Sequence, residues 1–203
     1  MRVCALLLAA GESVRMGRPK ALLPWQGGTL VEFQVEQLLA GGMDRVVLVL
    51  GHDAEAVRRV ASPLARTTIV LNPDYATGKT SSVRTGLEAI PSSAEAVLVL
   101  AVDQPRPAAL IRRLRQAHAT SDALITVSGF GGRHGHPTIF RRELFPEMRD
   151  IREETQGLRA VLHRHRESTQ VIETATRVPL IDINTPEEHR DALAFFASLG
   201  ETP

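Results

Sequence analysis

Residues 3–23, VCALLLAAGESVRMGRPKALL, decide the fold class of this chain. Val3 to Leu8 are almost all apolar, as expected of a strand covered on both faces in a parallel sheet. Ala9, Ala10 and Gly11 follow Leu8 as small residues that let backbone amides approach a ligand closely. Ser13, Arg15, Gly17 and Lys20 then supply the donors that phosphates need. Arg15 offers a planar fork for two oxygens, Lys20 a point charge, and Pro19 stiffens the loop just before it. On residue types alone a solvated basic turn is the competing reading.

Outward from this stretch, apolar runs alternate with amphipathic ones. Strands are predicted near 3–8, 45–50, 67–71, 96–101 and 122–128. Helices are predicted near 30–40, 53–61, 80–89 and 107–118. This alternation predicts an α/β fold with three layers and a mostly parallel, Rossmann-like sheet. Thr29 and Asp53 are expected N-caps and Gly41 an expected C-cap. Beyond about residue 129 the pattern becomes irregular: a Gly/His loop, a short strand at 138–140, helices near 141–149 and 155–165, strands near 169–173 and 179–183, and a helix from about 186. We expect one domain over 1–203, with a nucleotide-binding half to about 128 and an acceptor-binding half after it. The final GETP reads as a frayed tail.

The composition narrows the function. A 203-residue chain with 43% hydrophobic and 23% charged residues suits one compact domain, which buries about 70% of its unfolded surface. A formal net charge of +1, one Trp and one Tyr offer neither the electrostatics nor the stacking platforms of a nucleic-acid binder. The single cysteine, Cys4, lies inside the first apolar run and is expected to be a core residue, in keeping with a reducing compartment. The first apolar run is too short for a signal peptide or membrane span, so the expectation is a cytoplasmic protein without a membrane partner.

Further motifs fall at predicted strand ends, where open α/β sheets bind their ligands. Asp103 follows the apolar run AVLVLA (96–101), where a carboxylate can hold a magnesium ion against phosphates; a turn acid before Pro105 is the alternative. Asp182, Asn184 and Thr185 lie in LIDINTPEEH (180–189), with two oxygen ligands spaced to face one side of an extended segment. The same segment reads as a capping box, Thr185 with Glu188, and both readings can hold together. GKTSS (78–82) is not a P-loop, because Pro73 stands where the motif needs its earlier glycine. GFGGRHGHP (129–137) has the wrong spacing for a dinucleotide fingerprint and precedes a strand. His134 and His136 have no cysteine cluster beside them to suggest zinc.

LAAGESVRMGRPKALL (8–23) resembles the signature loop of the MobA-like nucleotidyltransferases, and among them of the molybdenum cofactor cytidylyltransferases. NPDYATGKTSSVRTGL (72–87), VLAVDQPRP (99–107), GRHGHPTIF (132–140) and LIDINTPEEH match further segments of that pattern in order, from one end of the chain almost to the other. The resemblance implies a sheet of the nucleotide-diphospho-sugar transferase type. It implies Asp103 as a magnesium ligand, with Asn184 and Asp182 as its partners, and Gly78 to Ser82, including Ser81, as the loop meeting base and ribose. Arg133, His134 and His136 are implied to bind the pterin phosphate substrate. Arg15, Lys20 and Asp103 are then the catalytic group, and no covalent intermediate is needed, because an acceptor phosphate is already ionised at neutral pH. Relatives that transfer cytidylyl groups resemble LAAG at 8–11, whereas guanylyl-transferring ones resemble LAGG. The resemblance therefore implies CTP, molybdenum-bound molybdopterin as acceptor, and a molybdenum hydroxylase as recipient of the product.

Overall fold

The computed structural model describes residues 1–200; the expected tail at 201–203 lies outside the described residues. Nine strands form, β1 (Val3–Ala9), β2 (Pro24–Trp25), β3 (Gly28–Thr29), β4 (Arg45–Leu50), β5 (Thr67–Leu71), β6 (Ala96–Ala101), β7 (Ile125–Phe130), β8 (Arg133–Arg141) and β9 (Thr169–Glu173). The α-helices are α1 (Leu30–Ala40), α2 (Ala54–Ala61), α3 (Lys79–Glu88), α4 (Ala108–Ala119), α5 (Phe145–Arg149), α6 (Leu158–Arg164) and α7 (Pro186–Gly200). Seven strands make one sheet in the order β5-β4-β1-β6-β8-β7-β9, while β2 and β3 pair as a small separate hairpin. β5, β4, β1 and β6 run parallel, β8 runs against both β6 and β7, and β9 is parallel to β7. The fold is thus α/β with a mixed, mostly parallel sheet, as the alternation of β1 and its neighbours predicts.

β1 shows why the sheet is buried on both faces. Val3, Ala5 and Leu7 pack with α1, α4 and α7 residues such as Leu38, Ile111 and Phe196 on one side. Leu6 and Leu8 pack with Val83 and Leu87 of α3 and with Phe145 and Met148 of α5 on the other. Cys4 is buried in the same strand, and burial pushes its thiol pKa up, which suits a core residue and not a nucleophile. The chain enters α1 through a capping box: Thr29 accepts from the Glu32 amide while the Glu32 carboxylate accepts from the Thr29 amide.

Three local expectations are corrected. Residues 133–137 are not a flexible loop but the first part of β8. Gly131 and Gly132, at φ +59° and +74°, make a tight reversal that pairs Phe130 with Arg133, the left-handed two-residue turn that hairpins favour. Residues 179–183 are not a strand: Val178–Leu180 is a short 3-10 turn, and its carbonyls bond to a buried arginine described below instead of to a sheet neighbour. Asp53 does not cap α2 with its side chain; it sits in the left-handed region at φ +51°, and its carboxylate faces His52 at 3.4 Å.

His118 of α4 is fully buried, with Nδ1 2.7 Å from the Thr126 hydroxyl and no hydrogen-bond partner on Nε2. Burial first, and then the charge of Arg141, hold its pKa down to about 4 against an ordinary 6.5. Because the folded value lies below the unfolded one, the unfolded chain takes up a proton first as pH falls. The stability contribution is complete above pH 6.5 and is lost progressively toward pH 4. At pH 5 the loss from this residue amounts to about 2 kcal/mol. Denaturant titrations at pH 7.5 and pH 5 test this: His118→Gln should narrow the gap between the two pH values, and an unchanged gap rules His118 out as its source.

Candidate active site

The sheet brings four loop systems to the carboxyl ends of β1, β4, β5 and β6. β1 lies where the chain changes direction in the sheet, with β4 on one flank and β6 on the other, and a ligand crevice opens at such a point. A cleft of about 700 Å3 opens there. Its floor and rim include Leu8, Ala9, Ala10, Gly11, Ser13, Arg15 and Lys20 from the first loop, Gly78 and Ser82 from the second, and Asp103 from the third. Asp182 and Asn184 complete the rim, so motifs far apart in sequence share one cavity.

The first loop is closed on itself. Ser13 adopts a left-handed backbone at φ +55°, and its hydroxyl accepts the amide of Lys20 at 3.1 Å. A non-glycine residue in that region is held by its surroundings and is common at ligand sites. The Lys20 ammonium donates to Asp103 Oδ2 at 2.6 Å and to Asn184 Oδ1 at 2.9 Å. Arg15 is exposed and reaches over the cleft, its Nη2 3.5 Å from the same Asn184 oxygen.

These contacts test the divalent-cation reading. Two oxygens from distant segments, Asp103 and Asn184, converge on one point that the lysine ammonium occupies, so a cation stands there already. A carboxylate plus an amide oxygen fits magnesium or manganese, which keep most of their ligands as water and phosphate oxygens. Asp182 does not join the pair: its carboxylate is exposed and 4.0 Å from Arg106. The half of that side chain turned toward the protein is desolvated, which raises its pKa, opposed by the Arg106 charge. The expected Thr185–Glu188 box is present, and the Glu188 carboxylate also accepts the Asn184 amide at 2.7 Å.

The second loop turns at Gly78, φ +117°, a backbone conformation that L side chains avoid. Ser82 is buried beneath the cleft and accepts from the Asn72 amide group at 2.9 Å. Ser81 also accepts from Asn72, while its own hydroxyl is turned to the Asp74 and Gly78 carbonyls. The structure thus brings Gly78 and Ser82 to the cleft and leaves Ser81 as a brace of the loop. Lys79 lies between this cleft and a second cavity of about 430 Å3, and lines both.

The second cavity sits beside β6 and β8, walled by Val83, Val99, Phe140, Leu158 and Leu162, with Lys79, Arg159 and His136 as its basic members. The three expected acceptor residues are separated by the β8 strand. His136 lines the cavity, whereas Arg133 and His134 are exposed at the hairpin tip and line neither space. Burial, with the charges of Lys79 and Arg106 adding to it, holds the His136 pKa down to about 3, so its ring is neutral at physiological pH. Among the described residues no three His, Cys, Asp or Glu side chains converge as a metal cluster.

Sequence reasoning missed the residues that hold the third loop. Gln34 of α1 is fully buried and donates to the carbonyls of Val102 and Gln104 at 3.3 and 2.6 Å. Arg106 is fully buried too, and burial lowers its pKa to about 9, which leaves it charged at neutral pH. Both look like surface residues by type. An apolar flank on each side of Gln34 (Phe33 and Val35) was the available signal for burial. His52 and Tyr75, which line the first cleft with their ring centroids 6.0 Å apart, carried none.

A family model described as the MobA-like NTP transferase domain matches residues 5–169. Nicotine blue oxidoreductase of Paenarthrobacter nicotinovorans is 34% identical over 92% of this chain and 94% of its own length. Molybdenum cofactor cytidylyltransferase of Escherichia coli K12 is 27% identical, over 90% and 91% of the two chains. The crystal structure of Rv0371c from Mycobacterium tuberculosis H37Rv complexed with manganese is 25% identical, with a TM-score of 0.77, over 96% of this chain and 99% of that one. The same fold is seen in the structure of 4-diphosphocytidyl-2C-methyl-D-erythritol synthase from Anaerococcus prevotii DSM 20548, 16% identical with a TM-score of 0.76 over 97% of this chain and 96% of that one. No helix among the described residues is long and apolar enough to cross a membrane.

Proposed function

The chain belongs to the MobA-like NTP transferase family, and from that premise we propose that it moves CMP from CTP to the phosphate of molybdenum-bound molybdopterin, releasing pyrophosphate. The observation that carries nucleotidyl transfer is the convergence of Arg15, Lys20, Asp103 and Asn184 on one edge of the cleft. Cations and a carboxylate meet there without a nucleophile and base pair. The acceptor brings its own ionised oxygen, so positioning and charge neutralisation are what the protein must supply.

In this reading Gly78 and Ser82 hold the base and ribose, Arg15 and Lys20 hold the β- and γ-phosphates, and the second cavity takes the acceptor. Lys79, shared by the two spaces, and Arg159 are the cations nearest the acceptor phosphate. Neutral His136 offers a hydrogen bond and not a charge. Arg133 and His134 serve only an acceptor long enough to reach the hairpin tip. The acceptor oxygen forms a bond to the α-phosphorus as the bond from that phosphorus to the pyrophosphate oxygen breaks. Magnesium, held by Asp103 and Asn184, would supply charge neutralisation on the triphosphate. The manganese complex of Rv0371c supports a divalent ion, and the Escherichia coli relative supports CTP and the pterin acceptor.

The test is pyrophosphate release from a panel of nucleoside triphosphates and phosphate acceptors with magnesium. Release with CTP and molybdopterin is expected. Release only with methylerythritol phosphate or a sugar phosphate moves the assignment to another cytidylyltransferase, and CTP binding without consumption makes the chain a nucleotide- or cofactor-binding chaperone. The name of the 34% identical relative favours one further reading, oxidoreduction of nicotine blue; conversion of that compound with a supplied reductant, and no pyrophosphate release, would establish it. Base choice has its own check. Ala10 lines the cleft and is buried, and its methyl narrows the space for a purine. Ala10→Gly is expected to raise GTP use relative to CTP about tenfold, on the scale of one methyl in a fitted pocket. An unchanged ratio places base selection elsewhere.

A further inference from the structure

Arg106 is a buried cation whose guanidinium makes four hydrogen bonds, all to backbone carbonyls. Nε donates to His136 O at 2.7 Å, Nη1 to Pro105 O at 2.8 Å and Ile181 O at 2.9 Å, and Nη2 to Pro179 O at 2.9 Å. The carboxylate of Asp182 stands off at 4.0 Å. Taking a guanidinium out of water without a contacting carboxylate is expensive, and the return is a planar fork that spans three chain segments at once. Each of those segments carries part of the site. The exit of β6 holds Asp103, β8 holds His136 in the wall of the second cavity, and the 178–181 turn leads directly into Asn184.

Two other contacts close the frame. The Ile183 amide donates to Asp103 O at 2.8 Å, tying the turn to the β6 exit on its outer side. Gly135 of β8 presses against the turn so closely that a Cβ there would lie 2.2 Å from Pro179 O. The buried Gln34 fixes the Arg106 amide from the α1 side, at 3.3 Å.

We propose that Arg106 is a positioning residue: it holds the Asp103 and Asn184 oxygens in register with each other and with the acceptor cavity. The proposal rests on the nucleotidyl-transfer reading of the site. It assigns Arg106 no contact with substrate. What Arg106 sets is the separation of two groups that must converge on one cation, and a displacement of about 1 Å there is worth about 10²-fold in rate.

Arg106→Lys keeps the charge and loses the fork, so it isolates geometry from electrostatics. We expect kcat to fall about 10²-fold. KM for CTP should stay within about threefold, because the Ala10 and Gly78–Ser82 contacts do not touch Arg106. The half-saturating manganese concentration should rise about tenfold, read directly by electron paramagnetic resonance of the free ion as well as by activity. In Arg106→Ala, added methylguanidinium should restore part of the rate and of the manganese affinity, which a merely structural role would not show. Gly135→Ala perturbs the same frame without removing a charge, by pushing Pro179, and should also weaken manganese binding. A folded Arg106→Lys protein with manganese affinity and kcat within about threefold of the parent overturns the proposal. If the Arg106 variants do not fold, unchanged manganese affinity in folded Gly135→Ala overturns it instead. Absence of pyrophosphate release from the parent protein would defeat the transfer reading, while the manganese titrations would still decide the role of Arg106.

Discussion

Replacing Asp103 with asparagine is expected to lower turnover about 10³-fold while leaving the protein folded. Asparagine keeps the size and one oxygen of the side chain and removes its charge. That charge now neutralises Lys20 at 2.6 Å, and in the proposed transfer reaction it is the carboxylate that would join Asn184 on the shared cation point. Both partners are largely covered, at 15% and 22% exposure, and the asparagine oxygen still accepts from the Lys20 ammonium, which limits the stability cost of removing the charge. Steady-state pyrophosphate release alongside a thermal melt separates the two effects. A variant that keeps more than a tenth of the parent rate would remove Asp103 from the reaction.

Lys20→Met should move two readouts in opposite directions. The thioether side chain keeps the stem of lysine and deletes the ammonium that bridges Asp103 and Asn184. Turnover should fall about 10²- to 10³-fold, since a positioned cation on transferring phosphates is worth that much. Manganese binding to the nucleotide-free protein should tighten about tenfold, because a competing positive charge has left the same two oxygens. Loss of rate with unchanged or weaker manganese binding would show that Asp103 and Asn184 are not the cation-holding pair.

Much of this site was legible because the chemistry is local in sequence. Ala9 to Lys20 must leave a buried strand and must carry cations on a short loop, and the residue types at those positions state both requirements. The two oxygens at Asp103 and Asn184 were legible as residue types at a strand end and before a capped helix. Their meeting on one ammonium was not, since they stand 81 positions apart and only the tertiary fold brings them together. Ser81 and Ser82 illustrate the limit at one-residue resolution: adjacent hydroxyls at the start of α3 look equivalent in sequence, and the helix turns one under the cleft and the other back onto the loop.

The second half of the chain was read least well, for a physical reason. Glycine density between 129 and 137 signals freedom of the backbone, and that freedom was spent on one tight reversal at Gly131 and Gly132. The reversal makes β8 a paired strand, whose hairpin end carries Arg133 and His134 to the exposed tip while His136, further along the strand, lines the second cavity. Polar residues buried for their hydrogen bonds, Gln34 and Arg106, were missed because their types predict exposure.

By itself the sequence determined the α/β alternation, the buried central strand, the basic loop after it and the family to which the chain belongs. These follow from periodicity and from short motifs, which act within one element. Tertiary structure alone decided that Lys20 stands between Asp103 and Asn184, that a second cavity adjoins the first through Lys79, and that Arg106 ties three segments beneath both. Those are relations among elements distant along the chain, and they exist only once β1 and β6 lie side by side with β8 turned against them.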